Sequence, residues 1–76
     1  MKRFFFDYTT KNQAMYDYRG DEFASPESAI EFAQATATIL EHNLTGAWHG
    51  WSIEVRNAEG KRFFSQPVEI AARIAA

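Results

Sequence analysis

Seventy-six residues make one domain, and a composition 46% hydrophobic, 24% charged and 16% aromatic is too apolar for intrinsic disorder. A formal charge of −2 excludes a broadly basic surface, though not a local basic patch. The lack of cysteine excludes disulfides, thiolate catalysis and Cys-based metal sites, and two histidines exclude most His-based ones.

The opening segment Lys2 to Thr9 reads as a strand, with Phe4, Phe6 and Tyr8 on one face and Arg3, Phe5 and Asp7 on the other. The wholly aromatic set belongs in the core. Thr10 to Gln13 is a polar turn. Met15 to Arg19 reads as a shorter second strand with Tyr16 and Tyr18 on one face, ended by a turn at Gly20-Asp21 with Gly20 at positive φ. A helix start follows: Ser25 as N-cap, Pro26 at the first helical position, and Glu27 and Glu31 toward the positive end of the dipole. Ile30, Ala33, Ala37, Leu40 and Leu44 form an apolar stripe, widened by Phe32, Thr36 and Ile39, over a helix of about 26–43. Asn43 and Gly46 are stop signals, and His42 sits in the last turn.

A hairpin closes the pattern. Trp51, Ile53 and Val55 point inward, and Asn57-Ala58-Glu59-Gly60 fits a type I turn with Gly60 as a bulge. That register sets Val55 opposite Phe63 and Arg56 opposite Arg62, and leaves Phe64 outside, opposite Glu54. Two facing arginines repel unless an acid or ligand lies between them. Pro67 ends regular pairing, and Val68 to Ala76 reads as a short closing helix or a trailing strand, the helix being preferred. The fold class is α+β: β-β-α-β-β, an antiparallel sheet with one long helix on one face.

Chemistry-bearing motifs are sparse. The glycines are isolated, no Ser sits in a nucleophile elbow, and Asp17, Asp21 and Glu22 around Gly20 read as a solvated turn. His42 and His49 read as a helix cap and a loop residue. The expectation is therefore no catalytic residue, no metal and no cofactor.

One helix covers one sheet face, so the other face should display Arg3, Phe5 and Asp7 from the first strand with Glu54, Arg56, Arg62 and Phe64 from the hairpin. Such a face serves as a self-complementary or partner-binding patch, as a stacking surface for single-stranded nucleic acid, or as tolerated surface. The acidic neighbours weigh against nucleic acid. Trp48, in the loop before the hairpin, either lids the core or anchors a partner. The favoured expectation is a non-enzymatic contact module acting as a homodimer or with a protein partner through Phe5 and Phe64. A single-stranded nucleic-acid module on the same face is the alternative. No apolar run approaches the roughly 20 residues that span a bilayer, so the expectation is a cytoplasmic protein with no membrane association.

The chain also resembles a known group. The opening Arg3-Phe4-Phe5-Phe6, the segment Asp17-Tyr18-Arg19-Gly20-Asp21-Glu22-Phe23, the Ala-rich helix and the hairpin from Trp51 to Lys61 are similar to a family of short bacterial proteins of unknown function, found in rhizobia and other alphaproteobacteria. The resemblance implies the β-β-α-β-β order and a bacterial cytoplasmic setting. It implies no activity and no catalytic residue.

Overall fold

The computed structural model describes residues 1–42 and 46–69. Strand β1 (Lys2–Thr9) lies at the centre of an antiparallel sheet. Two short strands share one of its edges: β2 (Ala14–Met15) opposite Tyr8 and Thr9, and β3 (Asp21–Phe23) opposite Lys2 to Phe4. Helix α1 (Pro26–Glu41) follows, then β4 (Ser52–Asn57), which pairs with the other edge of β1, and β5 (Arg62–Pro67), which pairs with β4. The architecture is α+β with one helix on one sheet face, as expected. Among the described residues no helix is long and apolar enough to cross a membrane.

The expected second strand is the first correction. Met15 to Arg19 is not one strand: β2 ends at Met15, and β3 begins only at Asp21. Asp17 is the physical reason. Its Oδ1 accepts the N–H groups of Arg19 and Gly20 (3.1 and 2.9 Å), and its Oδ2 accepts the Phe6 N–H (3.1 Å). A short polar side chain thus takes over ladder bonding that a strand would have supplied. Gly20 then returns the chain to β1 at φ 72°, and a Cβ there would sit 2.7 Å from the Phe4 carbonyl oxygen and 2.9 Å from the Phe5 ring. Only glycine fits both the backbone angle and the space.

The helix starts as its local signals dictate. Ser25 Oγ accepts the Ser28 N–H at 3.2 Å, Pro26 occupies the first turn, and Glu27 lies beside the positive helix end. It ends at Glu41 with His42 as its cap, and Leu44 lies outside the described residues. The buried stripe is narrower than expected: Ala29, Ala33 and Ala37 are buried, whereas Ile39 is 70% exposed and Phe32 44%. Three small side chains one turn apart seat the helix on Phe4, Phe6, Ile53 and Val55, and Val68 completes this core.

The hairpin needs the second correction. The turn is as read: the Gly60 N–H donates to the Asn57 carbonyl (2.9 Å), Gly60 has φ 88°, and Arg56 faces Arg62. Beyond that pair the register shifts, so that Val55 faces Phe64 and Glu54 faces Ser65. Phe63 is the extra residue, and Phe63 and Phe64 both pack against the core rather than one of them facing outward. The bulge turns both partly buried rings toward the apolar core, where the surface they remove from water stabilises the shifted register. The closing segment from Val68 lies largely outside the described residues. Val68 itself is buried, and its N–H donates to the Trp51 carbonyl at 2.8 Å.

Candidate functional site

The sheet face away from the helix carries a closed polar network. Asp7, expected to be displayed here, is instead completely buried on β1, covered by Arg56 and the Asp17 backbone, and faces Glu54 on β4, an arrangement of two acids that requires cations. Arg56 supplies one through a bidentate pair, Nε to Oδ2 at 2.6 Å and Nη2 to Oδ1 at 3.1 Å. Arg62 stands 3.9 Å from the same Asp7 carboxylate and 3.8 Å from that of Glu54, whose other oxygen accepts the Ser65 hydroxyl at 2.7 Å. Asp7 is thus the acid between the facing arginines. The Asp17 N–H donates to Asp7 (2.9 Å), and the Asp17 carbonyl accepts from Arg56 (2.9 Å), tying the β2–β3 connection to this face.

The electrostatics follow from these contacts. The hydrogen bond to Asp7 raises the Arg56 guanidinium above its usual pKa against partial desolvation, and the charges of Asp7, Asp17 and Tyr18 add to it. Desolvation works to raise the Asp17 carboxyl. The N–H groups of Gly20, Phe6 and Arg19, with the Arg56 charge, outweigh it and hold Asp17 below the ordinary carboxylate value. Burial raises the Tyr8 hydroxyl, and the Asp17 charge raises it further.

The residues expected to form an interaction face meet different fates. Phe5, Glu54, Arg56 and Arg62 come together around Asp7, whereas Arg3 is engaged separately. Arg56 stacks 4.8 Å over the Phe5 ring, and Arg3 is held by Glu22 (3.2 Å) and by the Arg19 carbonyl (2.9 Å). Phe64 does not join them, because the register shift places it against the core. Trp48 lies on the helix side, half-buried between Tyr8 and Trp51 with ring centroids 5.5 and 5.4 Å away. Among the described residues no group of three or more His, Asp or Glu could hold a metal ion.

Exposed apolar side chains gather elsewhere. Met15 (48% exposed) and Tyr16 (53%) lie on or beside β2, and Phe32 projects from α1 next to Phe6 and Phe23, whereas the exposed Tyr18 lies near enough to Arg56 for its charge to act there. Two clefts meet at Met15. One, of about 350 Å³, runs past Tyr16, Phe6 and Tyr8 to Phe32. The other, of about 530 Å³, is bounded by Ala14, Trp48 and Trp51. The sequence did not disclose this surface, because a continuous second strand would have given Met15, Tyr16 and Tyr18 a different setting. Asp17, read as a solvated turn residue, is an organising group of the opposite face.

Neither curated proteins nor solved structures give a match to this chain. The domain of unknown function DUF6894 matches residues 3–69, which span both the polar network and the aromatic surface. The chain belongs to the DUF6894 family.

Proposed function

We propose that this protein is a non-enzymatic contact module that binds a protein surface, a second copy included, through the aromatic face around Met15. The observation that carries the reading is the clustering of Met15, Tyr16 and Phe32, all exposed, along two clefts that share Met15 on one side of a small domain. Exposed aromatic and methionine side chains gathered in one patch characterise binding surfaces. What favours contact over catalysis is the state of the polar groups: Asp7, Asp17 and Arg56 are engaged with one another or with backbone. The open sheet face has less in its favour as a nucleic-acid platform. Each of Arg3, Arg56 and Arg62 already has a carboxylate within 4 Å, at 3.2, 2.6 and 3.8 Å, and Phe5 lies under Arg56.

Site-specific photo-cross-linking in the cells of origin tests this reading. A benzoyl-phenylalanine in place of Tyr16 should yield a discrete protein adduct, and one in place of Ser65, on the opposite face, should not. An adduct of twice the chain mass identifies a second copy. No adduct from position 16, or an adduct from position 65 alone, overturns the assignment.

A further inference from the structure

A third cleft, of about 470 Å³, opens at the end of β1 opposite to Met15, between the start of that strand, the first residue of α1 and the β4–β5 turn. Its apolar lining is Phe63, Pro26 and Ala58 with the almost fully buried Phe4 behind them, the Phe4 and Phe63 rings meeting at an angle with centroids 5.8 Å apart. Two lysines, Lys2 and Lys61, line the same cleft. Among the described residues neither ammonium has an ion pair or hydrogen-bond partner, whereas the nearby Arg3 is committed to Glu22 and the Arg19 carbonyl. The one acid in the lining is Glu59, exposed in the turn.

We propose that this cleft binds a small organic anion, a carboxylate or phosphate carried on a flat apolar body. Lys2 and Lys61 hold the charge, and Phe63, Pro26 and Ala58 receive the body. The volume lies within the range of small-molecule sites, which combine apolar walls with a few polar groups that fix orientation. Lysine ammonium groups act as mobile point charges suited to either anion. The ordinary alternative is a pair of solvated lysines beside an incidental recess, and it makes opposite predictions. In that case an anion would gain nothing from an apolar body, and no single charge would matter more than another. Glu59 fixes the sign of a further effect, because its carboxylate opposes an incoming anion.

Amide chemical shifts of the labelled protein, titrated at low ionic strength with benzoate and with phenyl phosphate, test the site. Acetate and inorganic phosphate serve as the matching ions without the body. The expected result is saturable shifts centred on Lys2, Ala58, Lys61 and Phe63, tighter with the ring-bearing anions than with their matches. Lys2→Gln and Lys61→Gln should each weaken binding about two- to five-fold, the range of an exposed charge pair, and Glu59→Gln should tighten it. Tighter binding of benzoate assigns a carboxylate, and tighter binding of phenyl phosphate a phosphate ester. Equal affinity for ring-bearing and simple ions would mean an adventitious ion only. That result, the absence of saturable shifts, or lysine variants that bind like the parent would overturn the proposal. The test is independent of the aromatic face around Met15, so either assignment can fail without the other.

Discussion

Asp17 links the sequence to the fold through one carboxylate. It replaces a strand partner for the Phe6 N–H and turns the chain through Arg19 and Gly20. Its folded pKa is lowered, since the N–H donors and Arg56 outweigh desolvation. A lowered folded pKa means that the unfolded chain binds the proton first as pH falls. The Asp17 contribution to stability is therefore full above about pH 4, the ordinary carboxylate value, and is lost as pH falls through the lower folded value. Asp17→Asn removes this dependence. Denaturant melts of parent and variant should show a stability gap that is constant at neutral pH and narrows below the unfolded value. A gap that does not change with pH would show that the Asp17 charge is immaterial.

At the scale of elements, the helix is the part most legible in the sequence, because its signals are local. Ser25 and Pro26 fix its start whatever surrounds them. Its packing was less legible, because periodicity identifies a face without saying how closely that face approaches the sheet. Ala29, Ala33 and Ala37 bring it in close and leave Ile39 outside. A larger side chain on that line should therefore be costly: Ala33→Leu should destabilise by about 1–3 kcal/mol through overpacking, read as a lower denaturation midpoint. Ile39→Leu in the same helix should leave the midpoint in place. The strands show the complementary limit. Alternation placed Phe4, Phe6, Ile53 and Val55 correctly, since one buried face suffices to fix register. It failed at Tyr16 to Tyr18, where side-chain-to-backbone bonding displaces the ladder, and at Phe63–Phe64, where a bulge turns both rings toward the core. Neither event leaves a mark in hydrophobic period.

On the proposed function, the whole molecule divides its labour between two faces. The sheet face away from the helix joins β1, β4, β5 and the β2–β3 connection through Asp7, Arg56, Arg62 and Asp17. The helix side exposes aromatic and methionine side chains that the core does not use. The composition announced the abundance of aromatics but not this division, which depends on which rings the two irregularities bury. The proposed function thus departs from the simplest expectation from one helix on one sheet, in which the uncovered face makes the contacts. Asp7 shows why: a fully buried carboxylate must be neutralised, so the arginines beside it serve the fold before any ligand.

Thermal unfolding of Arg56→Ala and Tyr16→Ser, measured side by side with the parent, tests this division most directly. Removing Arg56 leaves the buried Asp7 charge with only the more distant Arg62 and the Asp17 N–H, a loss of up to about 3–5 kcal/mol, and should lower the midpoint by more than about 10 °C. Removing the exposed Tyr16 ring should leave the midpoint within about 4 °C of the parent. An Arg56→Ala protein that melts with the parent, or a Tyr16→Ser protein that falls as far as Arg56→Ala, would contradict the assignment of one face to stability and the other to contact.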